Sequence, residues 1–290
     1  MKIEDTKRII IKIGSSLLFN SETKKHNKEW LISLAEDVNF LKNQNKDVII
    51  VSSGAIAFGA KDLNLEMSEL RLDIHQALAA IGQINLMSAF KNAFEKYESK
   101  VSQVLLTLDD TEKRRRSINA RRTIDNLLKL GIVPVVNEND TIATNEIKYG
   151  DNDRLAARVA QITGADCLIL LSNINGLYSS DPRNNQELKL IDSVESIDDD
   201  IESMVGKSIT ETGKGGMKTK IMAAKTALSA GCHMAITNGT IDNPIQALFN
   251  GRPCTWFTPN KTPLAARKQW IVGTMPVSYT HLRAHETVTY

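Results

Sequence analysis

The chain has 290 residues, of which 42% are hydrophobic and 24% are charged. A chain of this size and composition can bury a substantial core, which excludes a disordered, collagen-like or disulfide-scaffold protein. Lysine plus arginine number 36 and aspartate plus glutamate 34, so the net charge of +2 gives no reason to expect nucleic acid or a membrane as partner and favours a small-molecule ligand.

The three cysteines lack the CxxC spacing of zinc sites, and their odd number argues against a disulfide framework. No early apolar run approaches the roughly 18 residues that span a bilayer. We therefore expect a cytoplasmic protein that is neither secreted nor inserted into a membrane.

Short apolar runs alternate with longer amphipathic segments through the first half of the chain. In order, the pattern predicts a strand at 9–13, a helix at 30–41, a strand at 48–51, a helix pair around 70–94, a strand at 101–106, a helix at 118–130 and a strand at 132–136. Near-continuous apolar strands joined by helices are typical of a largely parallel sheet that is buried on both faces. We therefore predict an α/β fold.

The alternation continues in the second half of the chain. It predicts a helix at 151–163, a strand at 167–171, a loop through 182 and a further helix after Gly215 and Gly216. No flexible linker separates the halves, so we expect one domain over residues 1–276 whose two lobes divide near Gly150. Residues 277–290 show no clear structural period, and we expect them to be a non-native or disordered tail.

Two predicted strands end in turns of small residues. Lys12, near the end of the first strand, is followed by Gly14 and Ser15, whose backbone amides can face an anion. The strand ending at Val51 continues as Ser-Ser-Gly-Ala into a helix start, where the helix dipole favours negative charge. A lysine that snorkels to the surface and an ordinary helix cap explain these two features equally well.

Amide and carboxylate side chains are concentrated after the strand that ends at 136. Residues 137–140 read Asn-Glu-Asn-Asp, and residues 150–153 read Gly-Asp-Asn-Asp at a predicted helix start. Each motif alone is compatible with a polar turn or a helix cap. Together they indicate a site that binds a substrate ammonium group or organises catalytic lysines and a metal.

Residues 213–220, Gly-Lys-Gly-Gly-Met-Lys-Thr-Lys, form a glycine- and lysine-rich loop that enters a helix. Glycines free the backbone to wrap phosphate oxygens, and lysine supplies compact positive charge. The loop is not a Walker A motif, and a flexible surface loop is the alternative. A basic run from Lys113 to Arg122 lies at a predicted helix start, where a solvated helix face is favoured over an RNA-binding patch.

Taken in chain order, these motifs resemble the amino acid kinase family from about Arg8 to Gly273. The segments that carry the resemblance are IKIGSS (11–16), VSSGAIA (51–57), NEND (137–140), GDND (150–153), LLSNINGLYSSDPR (170–183) and GKGGMKTK (213–220). They are closest to the branch of the family that phosphorylates the γ-carboxylate of L-glutamate. The resemblance implies a three-layer α/β/α sandwich with a largely parallel central sheet, an acceptor-binding lobe over about 1–150 and an ATP-binding lobe over about 151–276.

The resemblance also implies roles for the residues that match the family's motifs. Lys12 and Lys220 would flank the transferring phosphoryl group, and Asp153 would hold both lysines in place. The substrate positions for glutamate would be Ser53, Asp140 and Asn152. The ATP site would use Lys12, Ser172, Asn173, Lys214, Gly215, Gly216, Met217, Lys218, Thr219 and Lys220. Asn173 stands where the family often has aspartate, so an amide replaces a charge there.

The implied reaction is ATP-dependent phosphorylation of L-glutamate to L-glutamyl 5-phosphate, the first step of proline biosynthesis. The resemblance implies Mg²⁺ beside ATP, feedback inhibition by L-proline, a homo-oligomer and transient contact with glutamyl phosphate reductase, without a membrane or nucleic-acid partner. Many bacterial members continue into a C-terminal PUA domain, which we expect to be absent because this chain ends about where that domain would begin.

Two other functions fit much of the same sequence. A relative with another carboxylate or phosphate acceptor would share the fold, but a nucleoside monophosphate would need arginines near Ser53 and Asp140, and that stretch offers none. A module that senses amino acids or binds RNA without turnover would not need Lys12, Asp153 and Lys220, which are all present.

Overall fold

A computed structural model describes residues 5–19, 26–65, 71–142, 152–179, 189–206, 216–260 and 262–266. The strands of this part of the chain are β1 (Arg8–Ile13), β2 (Asp47–Val51), β3 (Val101–Leu106), β4 (Val133–Glu138), β5 (Cys167–Ser172), β6 (Ser193–Val194), β7 (His233–Asn238) and β8 (Cys254–Phe257). The helices are α1 (Ser15–Leu18), α2 (Lys28–Asn43), α3 (Ala55–Asp62), α4 (Leu72–Glu95), α5 (Leu108–Glu112), α6 (Arg114–Lys129), α7 (Asn152–Thr163), α8 (Asp199–Gly206), α9 (Met217–Ser229) and α10 (Pro244–Phe249).

The strands form one sheet in the order β3-β4-β2-β1-β5-β7-β8-β6. The first six strands in this order are parallel, whereas β8 runs antiparallel to β7 and β6 runs parallel to β8. The prediction of a largely parallel sheet is therefore confirmed. Because the six parallel strands point the same way, their carboxyl ends and the loops that follow them share one edge of the sheet, which is where open α/β folds bind their ligands.

Helices cover both faces of the sheet. Side chains alternate along a strand, so β1 contributes to two cores. Ile9, Ile11 and Ile13 pack with α2, α4 and α10, whereas Ile10 packs with α6, α7 and α9. This is the three-layer α/β/α arrangement that the family resemblance implies. By the same alternation Lys12 shares the face of Ile10 and lies on the side of α7 and α9.

The structure corrects two predicted helices. The helix pair expected around 70–94 is one helix of 24 residues, α4, and α3 is a separate helix that packs against it. Gly82 lies inside α4 although glycine usually weakens a helix, because α3 crosses at that point and leaves no room for a side chain. The helix expected at 118–130 begins at Arg114, since arginine is a good helix former even where no apolar periodicity is present.

None of the helices in the described part of the chain is long and apolar enough to cross a membrane.

Candidate active site

The ligand edge of the sheet brings together three charged side chains from distant parts of the chain. Lys12 comes from the end of β1, Asp153 from the first turn of α7 and Lys220 from the first turn of α9. The Lys12 Nζ lies 2.6 Å from Asp153 Oδ1, and the Lys220 Nζ lies 3.0 Å from Asp153 Oδ2. Thr219 Oγ1 donates a hydrogen bond of 3.3 Å to the same Oδ2. The carboxylate thus holds both ammonium groups in one place.

The two lysines and Asp153 are nearly sealed from water. Asp153 is 1% exposed, and Lys12 and Lys220 are each 7% exposed. Burial raises the pKa of Asp153, but the attraction of Lys12 and Lys220 outweighs burial and lowers the pKa below its ordinary value. The carboxylate is therefore ionised at neutral pH, and two ammonium groups with one carboxylate give this group a net charge of +1. Such a group attracts an anion.

The amino end of α9 lies beside Lys220 and is suited to phosphate. Gly216 is the N-cap of this helix, no side chain caps it, and its first turn carries no acidic residue. The first backbone N–H groups of a helix have no intrahelical acceptor and carry about half a positive charge. Gly216 and Lys218 are exposed and Met217 and Thr219 are partly exposed, so a ligand can reach this turn. Lys214 and Gly215 lie outside the described residues.

Two further predicted nucleotide residues lie at the end of β5. Ser172 is buried and its backbone carbonyl accepts a 2.7 Å hydrogen bond from Gly239 N, which ties the end of β5 to the end of β7. Asn173 is exposed, and its Oδ1 accepts a 3.4 Å hydrogen bond from Ser172 Oγ. The Asn173 amide is therefore available to a ligand at the same edge as α9.

The predicted acceptor residues Ser53 and Asn152 are linked to the backbone of β1 and β2. Ser53 Oγ donates a 3.2 Å hydrogen bond to the carbonyl of Ile13. Asn152 Nδ2 donates to the carbonyl of Ser52, directly after β2, and Asn152 is 2% exposed. Gly54 follows with φ of 105°, a conformation that glycine adopts without strain, and this turn starts α3. The loop after β2 and the start of α7 are thereby held together.

Asp140 lies two residues beyond the end of β4. It forms no hydrogen bond or ion pair with another described residue, so the structure brings it to the ligand edge without joining it to Ser53 or Asn152. Burial raises the pKa of Asp140 to about 6. Asn137 and Glu138, expected after the strand, are instead its last two residues, and both are buried.

Sequence reasoning missed the amide side chains behind the acceptor residues. Asn137 belongs to the Asn-Glu-Asn-Asp motif, which gives it no individual role, and Gln83 and Gln103 lie outside all of the motifs. Gln83 is 8% exposed and Asn137 is 1% exposed. A glutamine on the mostly apolar buried face of a helix is a signal, because this side chain is costly to bury without hydrogen bonds.

Comparison with known sequences identifies one family and close relatives. The model of the "Amino acid kinase family" matches residues 7–238. The "Glutamate 5-kinase" of Pelagibacter ubique (strain HTCC1062) is 56% identical over 275 residues, which cover 95% of this chain and 74% of the relative. The "Glutamate 5-kinase" of Rhodopseudomonas palustris (strain BisB5) is 51% identical over 274 residues, covering 94% and 73%.

Solved structures agree on the fold. The carbamate kinase from Giardia lamblia bound to AMP-PNP superposes with a TM-score of 0.63 at 13% identity, covering 89% of this chain and all of that one. The UMP kinase from Ureaplasma parvum superposes with a TM-score of 0.59 at 16% identity, covering 87% of this chain and 99% of that one. At this identity the likeness concerns the fold alone.

Proposed function

The chain belongs to the amino acid kinase family, and from that premise we propose how its residues carry out ATP-dependent phosphorylation of the γ-carboxylate of L-glutamate. The product is L-glutamyl 5-phosphate, and the reaction is the first step of proline biosynthesis. The observation that supports the residue assignment is the Asp153 carboxylate, which holds Lys12 and Lys220 within 3.0 Å at the ligand edge of the sheet.

The chemistry of the acceptor explains why the site is built from lysines. The γ-carboxylate of glutamate has an ordinary pKa of about 4.3, so at neutral pH it is already an anionic nucleophile and needs no general base. The difficulty of the reaction is to align two anions that repel each other and to stabilise charge on the γ-phosphoryl oxygens. Buried positive charge that is fixed in advance meets both needs.

Lys12 and Lys220 supply this charge, and each contacts a different oxygen of the Asp153 carboxylate. Each ammonium contacts the transferring phosphoryl group, while Asp153 keeps both groups in position before the substrates arrive. Two unit charges 4 Å apart interact by about 4 kcal/mol at an effective dielectric constant of 20, so each lysine contributes substantially to the rate. Asp153 is a positioning residue in this scheme, because both of its oxygens contact lysines.

The amino acid binds on the side of β2 and β4. The Asp140 carboxylate attracts the α-ammonium group of glutamate, and Asn152 and Ser53 offer uncharged hydrogen-bonding groups to the same end of the molecule. The γ-carboxylate is thereby directed towards Lys12 and Lys220. ATP binds on the other side, with its phosphates against the amino end of α9, from Gly216 to Lys220, and with Ser172 and Asn173 near the rest of the nucleotide.

In this scheme Mg²⁺ would bind together with the nucleotide. Both oxygens of Asp153 contact ammonium groups, and the described residues contain no group of three His, Cys, Asp or Glu side chains placed to hold a metal ion. The described residues thus do not form a cage for the ion, and Mg²⁺ would bind as part of an Mg-ATP complex. In that complex it would neutralise phosphate charge.

The remaining expectations concern feedback inhibition, partner proteins, the cellular compartment and the oligomeric state. L-proline shares the α-carboxylate and amino group of glutamate, so it competes for the acceptor site as a feedback inhibitor. The acyl phosphate product is labile, which favours transient contact with glutamyl phosphate reductase.

All three cysteines are free and buried, as suits the reducing cytoplasm. Helix α4 exposes Ile74 and Ile84, which supports a homo-oligomer formed through this helix.

Trapping of the acyl phosphate with hydroxylamine tests the function directly. We expect hydroxamate to form with Mg-ATP and L-glutamate, and to be absent with N-acetylglutamate or aspartate as acceptor. Phosphorylation of UMP would give an anhydride that forms no hydroxamate, so release of ADP is measured with UMP, and we expect none. Turnover with another of these acceptors and none with glutamate would overturn the substrate. Binding of glutamate and ATP with no turnover of any acceptor would favour a sensing module instead of an enzyme.

A further inference from the structure

Four amide side chains form one hydrogen-bonded chain that leads away from the acceptor site. Asn152 Nδ2 donates to Asn137 Oδ1 at 2.9 Å, and Asn137 Nδ2 donates to Gln83 Oε1 at 2.8 Å. Gln83 Nε2 in turn donates to Gln103 Oε1 at 3.1 Å. The chain thus connects the first residue of α7 through β4 and α4 to β3.

A backbone carbonyl fixes the direction of every bond in this chain. Asn152 Nδ2 also donates to the carbonyl oxygen of Ser52, which can only accept. The Asn152 nitrogen therefore has to face Ser52 and Asn137, and Asn137 has to present its oxygen to Asn152 and its nitrogen to Gln83. Gln83 satisfies this arrangement by accepting from Asn137 and donating to Gln103. Reversing any one amide would place two donors or two acceptors against each other.

The consequence for Asn152 is that both protons of its amide are used inside the protein. Its Oδ1 is buried and accepts no hydrogen bond from another described residue. A buried acceptor without a donor is unfavourable, and native structures supply the donor from a ligand or water where the protein does not. The best donor that the substrate of this enzyme brings is its α-ammonium group, because a charged donor forms the stronger hydrogen bond.

We propose that Gln83, acting through Asn137, is a positioning residue that keeps the Asn152 Oδ1 directed at the α-ammonium group of the amino acid and thereby sets the preference for acceptors with a free amino group. This inference rests on the placement of glutamate at Asn152 proposed above. It assigns a role in substrate selection to α4, a helix that none of the predicted site residues belongs to.

The surroundings of Gln83 support this role. On either side of it along α4, the buried residues Leu78, Ala79, Leu86 and Phe90 are apolar. A methionine of similar length would fill the same space without a polar group to satisfy. The amide is therefore explained by its two hydrogen bonds, to Asn137 and to Gln103, and packing does not require it.

The test compares L-glutamate with glutarate, which lacks only the α-amino group. Dissociation constants of both are measured by titration calorimetry with the whole chain, and the selectivity is the ratio of the glutarate constant to the L-glutamate constant. In Gln83→Met we expect the selectivity to fall about tenfold, because the L-glutamate constant rises while the glutarate constant stays the same. Partial unfolding lowers the number of binding sites but does not change this ratio.

Two variants separate hydrogen bonding from packing. Gln83→Glu keeps an oxygen that accepts from Asn137, and Gln103 can turn its amide to donate, so we expect this variant to retain most of the selectivity. Leu86→Met changes a buried side chain of the same helix without touching the amide chain, and we expect it to leave the selectivity unchanged. An unchanged selectivity in Gln83→Met, or an equal loss in Leu86→Met, would overturn the proposal.

The variant Asn152→Ala separates a failure of this inference from a failure of the proposed glutamate site on which it rests. If Asn152→Ala abolishes the selectivity and Gln83→Met does not alter it, the role of Gln83 is wrong and the glutamate site stands. If Asn152→Ala leaves the selectivity intact, the placement of the amino group at Asn152 is itself wrong, and the role of Gln83 fails with it.

Discussion

Gly82 on α4 lies so close to Gly59 on α3 that a Cβ atom built on Gly82 would stand 2.3 Å from the Gly59 nitrogen. The same atom would stand 1.8 Å from the carbonyl oxygen of Ala55, in the first turn of α3. Backbone atoms cannot move aside as the end of a flexible side chain can. The crossing of α3 and α4 therefore fixes the start of α3 relative to α4. Helix α3 directly follows the loop that carries Ser53, and α4 carries Gln83.

Gly82→Ala is expected to destabilise the fold. The added methyl group forces α3 and α4 apart, and overpacking of this kind lowers the free energy of unfolding by about 2 to 3 kcal/mol. Chemical denaturation measures the effect. Ser88→Ala, at an exposed position of the same helix, serves as the control and should change the free energy by less than about 0.5 kcal/mol. Equal stability of the Gly82→Ala variant and the parent would contradict the close crossing.

Lys220→Ala is expected to remove most of the activity. Loss of about 4 kcal/mol of transition-state stabilisation corresponds to a rate about a thousandfold lower, which the hydroxamate assay measures as kcat. Lys12→Ala should have a similar effect. Lys225→Ala removes a lysine of the same helix that pairs with Glu202 on the surface, and it should retain the parent kcat. A kcat in Lys220→Ala within a few-fold of the parent would exclude a role at the phosphoryl group.

Asp153 is expected to make the fold sensitive to acid. Its pKa is lower in the folded chain than in the unfolded chain because of Lys12 and Lys220. The stability that it contributes is therefore fully present above its unfolded pKa of about 3.8 and is lost as the pH falls through the folded pKa. Denaturation curves from pH 7 down to about pH 2 measure this loss, and Asp153→Asn should be less stable at pH 7 and lose less on acidification. The same acid sensitivity in the variant would assign the effect to other carboxylates.

Asp140 is expected to control binding of glutamate near pH 6. Burial raises its pKa to about 6, so the carboxylate is charged above that pH and neutral below it. The KM for L-glutamate should therefore rise as the pH falls from 7 to 5, with little change in the KM for ATP. Asp140→Asn should show a high KM for glutamate at every pH. A KM in this variant that still rises on acidification would place the titrating group elsewhere.

The contribution of Asp140 to the stability of the fold depends on pH in the opposite direction to that of Asp153. A carboxyl group whose folded pKa is raised favours the folded state below the unfolded pKa, and that contribution is lost as the pH rises through the folded value. The parent should then gain stability relative to Asp140→Asn as the pH falls from about 7 to 4. Binding and stability therefore respond to Asp140 in opposite directions, which separates its two roles in one titration series.

The sequence predicts the ligand edge well because local signals determine it. Apolar runs locate the parallel strands, and polar loops after them have to meet at one edge, so Lys12, Ser53 and Asn152 could be assigned to that edge without a structure. The assignment of Ser172 to the site follows from the family resemblance. The contact of Asp153 with both lysines follows from the family resemblance. Spacing alone does not reveal it, because Lys220 lies 67 residues beyond Asp153 in the chain.

Other features depend on contacts that no local pattern encodes. The single helix α4 continues through Gly82 because of α3, a neighbour that periodicity does not identify. The hydrogen-bond partner of Gln83 is identified only by the packing of α4 against β4, which places Asn137 2.8 Å from it. Hydrogen bonds between side chains of different elements are set by register and by crossing geometry, and these emerge only when the layers are packed.

The position of β1 between β2 and β5 leaves one edge of this strand unpaired during synthesis of the chain. Ile9 pairs with Val48 on one side and with Cys167 on the other. One edge of β1 therefore stays unpaired while the more than one hundred residues between β2 and β5 are synthesised. An unpaired apolar strand edge invites pairing with other chains. Nascent chains that end before Cys167 should therefore depend on chaperones that cover such edges, and crosslinking of ribosome-bound chains of increasing length would show that dependence ending once β5 has emerged.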